Sequence, residues 1–152
     1  MKETRLEKIL LERTFMEVYC HFHPISALRR GLSRQGAVPA SMLSSLPSGS
    51  RVVVTGLVIF FHTPPTRSGK RIIFATLEDE TGLLDAVIMP NVQERWGKVI
   101  YTSEILTLEG RLLKQGKNGK SLSIKAIRII PGLSGSIQEV SHALRQPITE
   151  NP

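Results

Sequence analysis

The stretch Val52-Val53-Val54-Thr55-Gly56-Leu57-Val58-Ile59-Phe60-Phe61 constrains the fold most. It is β-branched and aromatic, which suits a pleated, half-buried strand. A glycine in its middle marks a sharp bend or bulge, the device by which a strand passes from one sheet to another in a small barrel. The rest of residues 51–130 repeats that grammar in shorter pieces. Thr63 to Gly69 is a loop of Pro, Gly and Ser. Arg71 to Glu78 reads as a second strand, Asp79-Glu80-Thr81-Gly82 as a tight turn, and Leu83 to Met89 as a third strand. Pro90 to Val99 is polar and helical. Glu104 to Leu113 and Lys120 to Ile130 are the fourth and fifth strands, joined by a glycine-rich turn at Gln115 to Gly119.

Five strands with one short helix between the third and fourth follow the order of the OB fold. That helix favours a five-stranded OB barrel over an SH3-like barrel or an immunoglobulin sandwich. The expected class is therefore mainly β with N-terminal helices. Residues 1–50 form a helical segment that packs on or leads into the barrel. An amphipathic helix over about 4–19 is expected, then one from Pro24 through Leu32, ended by Gly31 or Gly36, then a short one from Pro39 to Leu46. Residues 51–132 are the barrel, and 133–152 read as a polar, flexible tail.

Charge narrows the choice of partner. The formal net charge is +7, and residues 51–130 hold twelve Lys/Arg against seven Asp/Glu. A basic barrel suits a polyanion. No apolar run approaches the roughly 18 residues of a membrane span, so no membrane partner is expected. One cysteine, Cys20, and a charged start without a signal-like apolar stretch point to the cytoplasm.

A catalytic set does not assemble. His21, His23, His62 and His142 fall at no recognisable spacing from a carboxylate and a nucleophile, and phosphate-binding glycine loops are absent from the sequence. Cys20-His21-Phe22-His23 would be half a zinc site with no second half. Glu78-Asp79-Glu80 suits a hairpin turn better than a metal, because neighbouring carboxylates in a strand point to opposite faces. Neither a cofactor nor a metal is expected, and the chain is not read as an enzyme.

Binding is better supported. OB barrels take single-stranded nucleic acid across strands two and three, between the first-to-second and fourth-to-fifth loops. Here the first loop and its exit carry Arg67, Lys70 and Arg71. The second carries Lys114, Lys117 and Lys120, with Arg111 just before it, and neither contains an acid. Such loops form an electrostatic funnel for phosphates. If Ile73, Ala75 and Leu77 fill the barrel, Phe74 faces outward, where a base can stack on it. Phe60 and Phe61 point oppositely: one is core, and the other, assigned here as Phe61, lies at the groove's edge. Trp96 is expected to anchor the short helix over the barrel end. With aromatics at only 5%, the stacking platform is thin.

Thr76-Leu77-Glu78-Asp79-Glu80-Thr81-Gly82, with Val54-Thr55-Gly56-Leu57-Val58 upstream, resembles the C-terminal OB domain of the bacterial DNA polymerase III alpha subunit. Within that family the resemblance points to the error-prone relative of the subunit. Met89-Pro90-Asn91-Val92-Gln93-Glu94-Arg95 is similar to the family's short helix, Leu106-Thr107-Leu108-Glu109-Gly110-Arg111 to its fourth strand, and His23-Pro24 with Leu28 to the segment before the barrel. The resemblance spans about residues 5–132. It implies a domain that contacts single-stranded template beside a polymerase. The family's catalytic carboxylates have no counterpart here, which implies either a portion of such a subunit or a separately encoded accessory. The alternatives are a docking module for a polymerase assembly and an RNA-binding OB domain of the anticodon-reading kind. The turn motif allows the latter, and the His-Pro segment argues against it. Oligomeric state is left open.

Overall fold

The computed structural model describes residues 23–145. The helix expected over 4–19, the Cys20 to Phe22 part of the half zinc motif, and residues 146–152 lie outside the described residues. The barrel strands are β1 (Arg51–His62), β2 (Ile73–Asp79), β3 (Gly82–Ile88), β4 (Ile105–Gln115) and β5 (Ser121–Ile129). They close in the order β1-β2-β3-β5-β4. Helix α2 (Pro90–Thr102) lies between β3 and β4, as the OB order requires. Strand bounds agree with the sequence expectation to within about two residues, the usual spread of such assignments.

β1 makes the barrel possible. Its first half, Arg51 to Leu57, pairs with β4, and its second half, from Leu57 on, pairs with β2. Gly56 sits at that corner. A Cβ there would stand 2.8 Å from the Leu77 Cβ and 3.0 Å from the Glu78 backbone nitrogen, so the close crossing of β1 over β2 requires glycine. The bulge itself lies further on, where the register with β2 shifts between Val58 and Phe60. Inside, Val54, Ile73, Leu77, Ile88, Leu106, Leu108 and Ile124 are all fully buried. Trp96, half-buried on α2, packs against this core, with the Arg95 guanidinium 4.7 Å from its ring centroid.

A second apolar cluster lies outside the barrel. Helix α1 (Pro24–Arg34) and helix α3 (Ile137–Arg145) pack together over the outer face of β1 and β4. Ile25, Leu28, Leu32, Ile105 and Val140 are buried between them, with Val53 and Leu57 at the margin. The α3 segment corrects the expectation of a flexible tail from residue 133. Ile137, Val140 and Leu144 recur at helical spacing and supply an apolar stripe. Below the helices, the Thr55 and Thr107 hydroxyls meet at 2.8 Å, and Thr107 Oγ1 donates to the Leu133 carbonyl at 2.6 Å. Thr55 is therefore the donor of the pair, and both buried hydroxyls are satisfied.

α1 ends where a glycine permits it. Ala37 N–H bonds to Leu32 O and Gly36 N–H to Ser33 O, and Gly36 takes φ 87°. This is a Schellman closure at Gly36, not at Gly31. The segment after Pro39 is a 3-10 helix, Ala40–Ser45.

Candidate nucleic-acid interface

Among the described residues, Phe74 on β2 and Leu83 and Asp85 on β3 stand exposed on the outer face, and α1 meets β2 at the Glu78 end. Along β2 the burial alternates strictly: Ile73, Ala75 and Leu77 inward, Phe74 and Thr76 outward. Phe74 is 42% exposed, on the side the alternation predicts. The neighbouring pair on β1 reverses the sequence expectation. Phe60 is 55% exposed, whereas Phe61 is half-buried and packs against the core. Phe61 also meets the Tyr101 ring edge-on, with centroids 5.8 Å apart at 76°. The bulge is the cause. Up to Val58 the even-numbered residues point inward; the extra residue, Ile59, switches the parity, so Phe61 pairs with inward Ala75 and Phe60 with outward Thr76. Phe60 was missed because a bulge cannot be located without the partner strand.

The two basic loops bracket this face. Ile73 pairs with Ile88, so the loop carrying Arg67, Lys70 and Arg71 opens at the C-terminal end of β3. All three of its cations are exposed. Thr66 Oγ1 closes the loop on the Lys70 carbonyl, and Gln93 Nε2 on α2 holds the Arg71 carbonyl at 2.7 Å. β3 and β5 run parallel, with Ala86 opposite Ile124. The hairpin before β5 therefore lies toward the N-terminal end of β3. Lys117 and Lys120 are exposed there. The hairpin turns through Gly116, Asn118 and Gly119, all at positive φ.

Two of the candidate cations are tied to the scaffold. Lys114 Nζ donates to Ser44 O at 3.0 Å, and Arg111 Nη1 donates to Gly49 O at 3.1 Å. These bonds join β4 to the 3-10 segment and the turn after it. Asp85 on β3, exposed on this face, accepts from the Thr76 hydroxyl at 3.2 Å.

Glu78, on the outward side of β2 beyond Phe74 and Thr76, holds the N-terminal segment together with Asp79 and Glu80. Asp79 is buried. Its Oδ1 accepts from Thr81 N–H at 2.8 Å and from the Thr81 hydroxyl at 2.6 Å, and its Oδ2 accepts from Ala40 N–H at 2.7 Å. Glu80 takes a bidentate bond from Arg29 of α1, at 2.7 and 2.9 Å through Oε1. Glu78 pairs with His23 Nε2 at 3.0 Å, while His23 Nδ1 accepts the Ile25 N–H and caps α1. The His-Pro segment and the acidic turn thus form one latch between α1 and the barrel. Among the described residues no group of three or more His, Cys, Asp or Glu is placed to hold a metal.

On β4, Glu109 lies between two cations, Arg128 at 2.8 Å and Arg51 at 2.7 Å. The Arg128 hydrogen bond, aided by Arg51, holds its carboxyl below the usual carboxylate range, against a smaller opposing effect of burial.

The family described as OB-fold nucleic acid binding domain, of the tRNA anticodon type, matches residues 52–130. The chain belongs to this family. The chain is also 34% identical over 126 residues to the error-prone DNA polymerase of Symbiobacterium thermophilum, a match covering 82% of this chain and 12% of that polymerase. It is 41% identical over 90 residues to the error-prone DNA polymerase of Caulobacter vibrioides, covering 59% of this chain and 8% of that one. The chain spans about a tenth of the length of these curated relatives. Among solved structures, asparaginyl-tRNA synthetase from Pyrococcus horikoshii superimposes with a TM-score of 0.48 at 21% identity, over 62% of this chain and 22% of that chain. The resemblance of the turn and short-helix motifs to the error-prone polymerase relative is thus matched across most of the chain.

Proposed function

We propose that this OB domain binds single-stranded DNA on the open face of β1, β2 and β3, as a non-catalytic module working beside a DNA polymerase. The observation that carries the reading is that Phe60 and Phe74 stand exposed among the described residues on one sheet face, bracketed by two acid-free basic loops. Bases stack on exposed rings, each contributing about 1–3 kcal/mol, and the loop cations take the phosphates. Stacking on two phenylalanines asks for unpaired bases, because a duplex hides the faces of its bases inside the stack. The error-prone polymerase relatives support the polymerase association.

The test is a titration of fluorescently labelled single-stranded DNA at several salt concentrations. Binding should weaken linearly in log salt, by about 0.7 per phosphate contact. Duplex of the same sequence should bind more weakly. An RNA oligonucleotide that outcompetes DNA would replace DNA with RNA in this reading. No binding at low salt would sink it.

A further inference from the structure

The open face does not end at β3. Cross-strand partners can be followed outward from β1: His62 pairs with Phe74, Phe74 with Val87, Val87 with Lys125, Lys125 with Arg111, and Arg111 with Arg51. This is one continuous row around the barrel. It begins on the aromatic face and finishes on β1 again, at the other end of the strand. The final three positions are all cations, and all three are exposed. Arg128 and Glu109 lie beside them, with Glu109 bonded to Arg51 and Arg128. One carboxylate among four cations leaves the patch net positive by three charges.

Like charges directly opposite one another in a sheet are unfavourable. Here Arg51, Arg111 and Lys125 occupy directly opposite positions on three adjacent strands. The apolar alternative is already used: the residues next to them on their strands, Val52, Leu112 and Ile124, fill the core. The arrangement suits a polyanion laid across the strands, with phosphates relieving the repulsion. Strands about 4.8 Å apart offer a cation at each step, on a path perpendicular to the strand direction.

We propose that a long single strand leaves the Phe74 face by way of Val87 and continues over β5 and β4, its phosphates held by Lys125, Arg111 and Arg51. This basic track is a second binding segment, and it rests on the reading of the open face as the single-strand site. The Phe60–Phe74 face supplies stacking. The track supplies charge alone and reads no base.

The experiment compares DNA oligonucleotides of about 5 and about 15 nucleotides, lengths near the two ends of the range for one OB fold. The Lys125→Gln variant should bind the short oligonucleotide as the unaltered chain does. For the long one its salt slope should fall by about 0.7, one contact, and that of the R111Q/K125Q double variant by about 1.4, two contacts at about 0.7 each. Arg111→Lys keeps the charge and should keep the slope, which separates a charge effect from loss of the Arg111 bond to Gly49. Lys125 should also be protected from acetylation by the long oligonucleotide and not by the short one, read by mass spectrometry against exposed Lys98 on α2. An unchanged slope in the double variant, or Lys125 acetylated equally with both lengths, overturns the track. In that event Phe74→Ala still weakens both lengths if the open-face reading holds. If the unaltered chain binds neither length, that reading falls and the track falls with it.

Discussion

The barrel has two outer faces built from the same kind of strand, and they have opposite fates. On β1 and β4, the outward residues Val53, Leu57 and Ile105 are covered by α1 and α3. On the other half of β1 and on β2, the outward residues Phe60 and Phe74 stand in solvent. The boundary between the two lies within β1, where the strand leaves β4 for β2 and then bulges. An apolar residue on the covered face contributes to folding, because ordering it removes its surface from water. An apolar residue on the open face contributes nothing comparable until something else covers it. Exposed rings flanked by cations are therefore a feature of a surface awaiting a partner.

The contrast breaks most visibly on the covered side. Ile25→Ala removes a fully buried side chain from the seam between α1, α3 and the barrel. A loss of about 2–4 kcal/mol is expected, measured by chemical denaturation. DNA affinity should be retained while the protein stays folded. A loss under about 0.5 kcal/mol would mean that the helices do not belong to the cooperative unit.

The adjacent phenylalanines sharpen the same point. Phe61→Ala should destabilise the fold by about 2 kcal/mol, less than a fully buried ring, since Phe61 is only half-buried against the core. Phe60→Ala should change stability by less than about 0.5 kcal/mol. Its effect should fall on DNA binding instead, as should that of Phe74→Ala, at about 1–3 kcal/mol each. If the two neighbours exchanged roles in these measurements, the bulge at Ile59 would be misplaced.

Asp85 is an exposed carboxylate on the part of β3 that the proposed strand crosses, and it accepts a bond from Thr76. Asp85→Asn keeps the shape and removes the repulsion of phosphate. Affinity for single-stranded DNA should rise severalfold at low salt, and the gain should shrink as salt screens it.

The smallest effect concerns acid stability. Glu109 has its pKa lowered in the fold, so its stabilisation is complete above the ordinary carboxylate range and is lost as pH falls through the folded value. Thermal melts of Glu109→Gln should therefore lie below those of the unaltered chain at neutral pH and converge with them in acid. A gap that stayed constant with pH would assign the loss to shape and not to charge.

Much of this was legible in the sequence because it is local. Strict alternation around Ile73, Ala75 and Leu77 put Phe74 outside, and the turn chemistry of Asp79 to Gly82 placed the β2–β3 hairpin without reference to any other residue. The acid-free loops could be counted directly. Phe61 was misassigned for the opposite reason: alternation is a local rule, and a bulge suspends it at a place set by the partner strand. Lys125 was passed over because its importance comes from its neighbour Val87, more than thirty positions away in the chain. The α3 stripe was discounted because its apolar residues have value only once α1 and β4 are beneath them.

The sequence by itself determined the five strands, the helix between the third and fourth, the outward side of β2 and the basic character of both loops. These follow from propensity, periodicity and charge over a few residues. Only the tertiary structure decided which half of β1 would be covered, which phenylalanine would be left in solvent, and that three cations from three strands would line up. Those depend on the crossing at Gly56, the bulge after Val58 and the parallel closure of β3 on β5, which are pairings between distant segments that no local pattern encodes.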